Sequence, residues 1–212
     1  AKLLDYVERE TNLDVIAITD HDTIAPSLQA RELAQSHGFR FDVIVGMEVS
    51  TLDGYLLALY IDKAVPGDLP MARAVELTHA EGGLCIACHP MSWLAGSIGQ
   101  GRLDRIMSLG GDGTPDALEL MIAGITGRGY TERARHLNEK RYKVAEVGSS
   151  GAFKLEDVGK TYTLFPGRTA ADLKQAILER TSQAERAKTS LTAEILGSFQ
   201  FLPRLWRRKE DR

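Results

Sequence analysis

The sequence predicts an α/β fold in which parallel strands alternate with helices, as an open sheet or a barrel. Three observations carry this. Short apolar runs and amphipathic stretches follow one another about six times, the pattern of right-handed βαβ units. One run, Val15-Ile16-Ala17-Ile18, is apolar throughout, as a strand buried on both faces requires. Ionisable residues collect where such runs end, Asp20, His21 and Asp22 after the first. In barrels of this kind the carboxyl ends of the strands build the site, so these three side chains are candidates for chemistry.

The 212 residues suffice for one sizeable α/β domain, and 43% apolar with 26% charged residues is the balance of a soluble globular protein. A net charge of -3 supplies no electrostatic footprint for wrapping nucleic acid, so no duplex partner is expected. No apolar run approaches the roughly 20 residues that span a bilayer, and no secretory signal is visible. The chain opens inside an amphipathic helix without an initiator Met, as if residues upstream had been left out. Two cysteines make no disulfide framework and fit a reducing compartment, so a cytoplasmic protein is expected.

In order, residues 1–11 form a helix with Leu3, Leu4 and Val7 on one face, ahead of the first strand. Residues 26–37 read as a helix with Pro26 in its first turn and Gly38 past its end. A strand at 41–45 leads through Gly46 and Met47 to Glu48. Apolar runs at 49–51 and 55–61 flank Asp53-Gly54, a hairpin signal. A helix at 69–81 stops at Gly82-Gly83, and the strand 84–88 delivers His89 and Pro90. Residues 91–101 lack periodicity and read as a loop over the site. A short helix at 102–109, a strand at 117–122, a helix at 130–141 and a strand at 144–147 follow. After Gly148-Ser149-Ser150-Gly151 come a last strand, 160–165, and a last helix, 169–179. The expected organisation is one barrel domain over 1–187 and a tail over 188–212.

Three strands finish in strong metal ligands: His21, Glu48 and His89. Imidazole with carboxylate suits Zn, Mn or Fe at a hydrolytic centre. Glu119, inside the strand 117–122, is expected to point the same way, as are Ser149 and Ser150. Singly, each would pass for a capped strand end or a satisfied polar contact. Their shared position is what turns them into a site. His37, His79 and His136 fall on helices and read as surface or packing residues.

Four segments, Ile18-Thr19-Asp20-His21-Asp22-Thr23, Gly46-Met47-Glu48-Val49-Ser50-Thr51, Cys88-His89-Pro90 and Gly148-Ser149-Ser150-Gly151-Ala152-Phe153, resemble successive motifs of the PHP family, the polymerase and histidinol phosphatase domain. The resemblance runs in order to about Glu179 and implies a distorted (β/α)7 barrel. It also implies a metal cluster that hydrolyses phosphoesters, here with one or two divalent Mn, Zn or Fe ions. Family members begin with a strand bearing a His-x-His motif, which this chain lacks, so its barrel is expected without that first strand. Tyr55 stands where the family carries His, and Gly151 and Phe153 replace the Asp and His of its last motif. Of the usual ligands only His21, Glu48 and His89 transfer, with Asp20 orienting His21.

The resulting expectation is a phosphoesterase acting on a phosphorylated small molecule or nucleotide. A degenerate module that binds a phosphorylated ligand or a protein without turnover is the alternative. Arg128, in Gly127-Arg128-Gly129, is a candidate substrate contact, though such loops often only turn the chain. Trp93 either stacks on a base or seals the barrel mouth. Cys85-Ile86-Ala87-Cys88-His89 has the spacing of haem attachment, but alternation along a strand sends the two thiols to opposite faces, as core residues. The tail, with Phe199, Phe201 and Trp206 before Arg207-Arg208-Lys209, either packs on the barrel or makes a weak membrane or protein contact.

Overall fold

The computed structural model describes residues 1–92, 96–123 and 128–187. Among the described residues the α-helices are α1 (Lys2–Glu10), α2 (Ala25–His37), α3 (Met71–Ala80), α4 (Gln100–Leu109), α5 (Arg128–Leu137) and α6 (Ala170–Glu179). The strands are β1 (Val15–Ile18), β2 (Asp42–Ser50), β3 (Tyr55–Leu59), β4 (Leu84–Ala87), β5 (Ala117–Ile122), β6 (Ala145–Ser149), β7 (Thr161–Leu164) and β8 (Gln183–Arg186). The first six form one sheet in sequence order, and β7 and β8 pair separately. Among the described residues no helix is long and apolar enough to cross a membrane.

The hairpin expected at Asp53-Gly54 is present, with β3 antiparallel to β2; the parallel expectation needs correction at β3–β4, which is also antiparallel, while β1–β2, β4–β5 and β5–β6 are parallel. The cause of the hairpin is local. The Thr51 N–H and hydroxyl both donate to the Gly54 carbonyl, and Gly54 takes φ +147°, so the chain reverses at once. β1 also departs from expectation: it is not buried on both faces, and Ala17 is exposed. Among the described strands only β2 pairs with it, which leaves β1 at the edge of the sheet.

Period-two alternation sorts the sheet's side chains onto two faces. Val45, Met47, Val49, Leu56, Ala58 and Cys85 join a core with Met71 and Val75 of α3 and Leu103 of α4. Ile44, Leu57, Leu59, Ile86, Cys88 and Val147 form the other, against Ile177 of α6. Cys85 and Cys88 thus lie in different clusters, both buried and free, as the strand argument required. A third cluster joins Leu4 and Val7 of α1 to Ala34 of α2 and Phe41. Arg40 secures this corner by donating to the carbonyls of Val7, Thr11 and Leu13 just before β1.

Strand β8 was not foreseen, because Gln183-Ala184-Glu185-Arg186 has one apolar residue, Ala184, to mark its buried face. The β7–β8 ribbon lies against β6, where the Gly148 N–H donates to Thr163 Oγ1 and Thr161 Oγ1 donates to the Ser149 carbonyl. Gly148 has no room for a side chain there, since a Cβ would sit 2.4 Å from the Tyr162 carbonyl oxygen.

At the amino ends of β4 and β5, Asp116 Oδ2 accepts from the Cys85 N–H at 2.7 Å and lies 2.9 Å from His79 Nε2. His79 Nδ1 meets the Asp112 carbonyl at 3.0 Å, so the doubly protonated ring satisfies both oxygens. The bond to Asp116 raises the His79 pKa above its usual value, against the opposing effect of burial. A raised pKa in the fold adds stability that is fully present below the unfolded value of about 6.5 and is lost as pH rises through the folded value. Urea midpoints of the native chain are therefore expected to fall with pH above 6.5 more steeply than those of His79→Gln. Equal slopes would contradict the assignment.

Candidate functional site

The β1–β2 ladder continues past the end of β1. Glu48 N–H donates to the Asp20 carbonyl at 3.1 Å, Asp22 N–H donates to the Glu48 carbonyl at 2.9 Å, and His21 pairs with Glu48 in parallel register. Continued pairing sets the two side chains side by side, with His21 Nε2 2.9 Å from Glu48 Oε2. Asp22 adopts φ +53°, a left-handed conformation that Asp tolerates. Its carboxylate is occupied by Ser50, accepting from the N–H at 2.8 Å and from the hydroxyl at 2.6 Å. Asp20 is exposed and reaches Glu48 through its backbone carbonyl; the group bonded to the His21 ring is Glu48.

Because β3 is antiparallel, its first residue, Tyr55, lies at the same end of the sheet. Its ring meets His21 edge-on at a centroid distance of 4.9 Å and His89 edge-on at 6.3 Å. His89 follows β4 with φ +28°, a strained value for a residue with a side chain. Glu119 of β5 holds it there: Oε2 accepts the His89 N–H at 2.9 Å, and Oε1 accepts the Ser149 hydroxyl at the end of β6. Glu119 is 4% exposed, and the sequence reading placed both it and Ser149 at this end. His89 is also buried, and its Nδ1 has no hydrogen-bond partner. Ser97 Oγ donates to the His89 carbonyl, and the Tyr55 N–H donates to the Gly96 carbonyl.

Burial raises the Glu48 pKa to about 7, repulsion from Glu119 and Asp22 adds to this, and a hydrogen bond from the Cys88 thiol opposes it. Cys88 is itself raised, first by burial and then by the charges of Glu48 and Glu119. Two carboxylates that repel in a buried place, beside an unpartnered imidazole nitrogen, fit a cation. Among the described residues, however, no group of three or more His, Cys, Asp or Glu side chains is arranged to hold a metal ion. His21 and Glu48 touch directly, whereas Tyr55 contacts both imidazoles.

Position 151 supplies nothing, since Gly151 takes φ +54° and a Cβ there would sit 2.7 Å from Ile122 Cδ1. Phe153 is 72% exposed and offers no metal-binding atom. Trp93, the side chain of Arg128 and the tail 188–212 lie outside the described residues. Sequence reasoning missed the contact of Cys88 with Glu48 and the central place of Tyr55. The only signal for the second was a Tyr where His is usual.

A family model described as PHP-associated matches residues 130–182. Over 107 residues the chain is 33% identical to the uncharacterized protein MJ1587 of Methanocaldococcus jannaschii, which is 50% of this chain and 59% of that protein. The chain thus spans less than two thirds of this relative. A two-domain protein from Bacteroides vulgatus containing a predicted PHP-like metal-dependent phosphoesterase superposes with a TM-score of 0.65 at 16% identity, over 86% of this chain and 58% of that one. An amidohydrolase from Chromobacterium violaceum, solved with bound sulfate and no metal, superposes with a TM-score of 0.52 at 16% identity, over 87% and 91% of the two chains. At such identity the likeness is one of fold. The chain is thus similar to the PHP domain family in two respects, a PHP-associated match over residues 130–182 and the fold of a PHP-like protein.

Proposed function

We propose that this chain is a metal-dependent phosphoesterase that hydrolyses a phosphorylated small molecule or nucleotide. The observation that carries the reading is the His21–Glu48 pair, set against a second buried carboxylate and the unpartnered Nδ1 of His89. His21, Glu48 and His89 would hold a divalent Mn, Zn or Fe ion, and the sheet is the greater part of a distorted (β/α)7 barrel. When bound, such an ion supplies charge opposite the phosphoryl oxygens and lowers the pKa of a water. Glu119 keeps the His89 backbone in place. His21 and Glu48, which share a hydrogen bond, would serve as ligands, and Asp20, exposed beside them, would move the proton between water and the leaving oxygen. Arg128 and Trp93 are the proposed substrate contacts. Two buried free thiols fit a cytoplasmic setting.

The relatives' names support the hydrolase class, one phosphoesterase and one amidohydrolase. A binding module without turnover is the second reading, favoured by Gly151 and Phe153, which bring no ligand. The test is hydrolysis of p-nitrophenyl phosphate by the purified chain with and without Mn2+. Turnover that depends on Mn2+ is expected. A folded protein that binds Mn2+ without turnover would favour the module.

A further inference from the structure

We infer that Ser149 is the nucleophile of a first displacement, its hydroxyl attacking phosphorus with Glu119 as the base, so that the phosphoryl group passes through the protein before it reaches water. This rests on the phosphoesterase reading and names the attacking oxygen. A nucleophilic hydroxyl needs a base within hydrogen-bond reach and a third group that orients the base. All three are present. Ser149 Oγ donates to Glu119 Oε1, and Glu119 Oε2 accepts the His89 N–H at 2.9 Å. Glu119 is buried, Ser149 is half-buried, and Gly151, Ala152 and Phe153 beyond it are exposed. The base is thus fixed beneath a hydroxyl that lies at an open rim. Ser50 also bonds a carboxylate, but both bonds of the exposed Asp22 come from Ser50 itself, so that pair has no third group to orient its base.

Strand geometry sets the hydroxyl on the face of the site. Ala145 and Val147 of β6 pack in the cluster that holds Leu57 and Cys88, and alternation puts Ser149 on that same face. The Arg186 guanidinium donates to the carbonyl of Ile122, which is paired with Ser149 across β5 and β6, at 3.1 Å. A positive charge therefore stands at the strand ends where a phosphate dianion would meet the hydroxyl. In the first step the Ser149 oxygen bonds phosphorus and its proton passes to Glu119. The bond from phosphorus to the substrate oxygen breaks, and that oxygen leaves with the electron pair and takes a proton from Asp20. In the second step a water oxygen bonds phosphorus, giving its proton back to Asp20. The bond to Ser149 then breaks, and Glu119 returns the proton to the serine oxygen.

The experiment is hydrolysis by the full native chain, with Mn2+, of a p-nitrophenyl phosphorothioate made chiral with a heavy oxygen isotope, in water of a further isotope. The configuration of the released thiophosphate is the readout. Two in-line displacements retain configuration, whereas direct attack by water inverts it. Retention is expected, and inversion would overturn the inference while leaving the phosphoesterase reading intact. In parallel, Ser149→Ala is expected to lower turnover of p-nitrophenyl phosphate by at least about 100-fold with an unchanged circular dichroism spectrum. A folded variant with turnover near that of the native chain would overturn the assignment of Ser149. If Ser149→Ala fails to fold, the configuration decides alone; if the phosphorothioate is not turned over, the variant does. No turnover of either ester by the native chain would overturn the phosphoesterase reading and the inference with it.

Discussion

His89→Ala is expected to lower Mn2+-dependent hydrolysis of p-nitrophenyl phosphate by at least about 100-fold, the upper range for losing even a residue that merely supports a ligand. The imidazole is buried, its Nδ1 has no protein partner, and its backbone is pinned by Glu119, so the fold has placed a nitrogen where nothing of its own uses it. Buried polar atoms left unbonded cost free energy, which a water, an ion or another ligand relieves. The variant keeps the Glu119 contact, because that bond is made by the backbone. Loss of activity should therefore come without collapse of the fold. A saturating ion, at about 100 times its dissociation constant, stabilises its site by about 2.7 kcal/mol. That Mn2+-induced rise in the urea midpoint should be present in the native chain and nearly absent in His89→Ala. A variant with full turnover would remove His89 from the site.

Glu119→Ala is expected to destabilise the protein by about 3 kcal/mol, measured by urea unfolding, because it strands two donors. The His89 N–H and the Ser149 hydroxyl both lose their acceptor, in a position 4% exposed. Glu119→Gln keeps a carbonyl for one of them and should cost less. That milder variant also isolates an electrostatic effect, since repulsion from Glu119 helps hold the Glu48 pKa near 7. A carboxyl with a raised pKa binds its proton more readily in the folded chain. Metal-free stability should therefore decline as pH rises from about 4.5 to about 7. In Glu119→Gln the decline should be smaller but not absent, because burial is the larger cause. An identical pH slope in both proteins would show that the two carboxylates do not communicate.

What the sequence made legible follows from which signals are local. Ionisable residues at the ends of apolar runs marked His21, Glu48 and His89, and the elements that carry them lie within a few residues of expectation. Gly38 ends α2 in the left-handed conformation, φ +64°, that its position implied. The β2–β3 pairing was legible, since Asp53-Gly54 announced a hairpin, whereas the antiparallel β3–β4 pairing was not, because the helix between those strands argued for a parallel unit. β8 was invisible because four residues with a single buried Ala carry almost no periodicity. The exposure of Ala17 was hidden for another reason, since an apolar run does not say how many neighbours its strand will have. Tyr55 and Cys88 were the least legible of all. A ring between imidazoles, and a thiol under a carboxylate, arise from strands that only the folded sheet brings side by side.

The most direct measurement is anomalous scattering from a crystal of the full chain soaked in Mn2+, recorded near the manganese edge. One anomalous peak within coordination distance, about 2.0–2.3 Å, of His21, Glu48 and His89 is expected. A peak held by other side chains, or a well-diffracting soaked crystal with no peak at this end of the sheet, would contradict the assignment of these three residues to one cation.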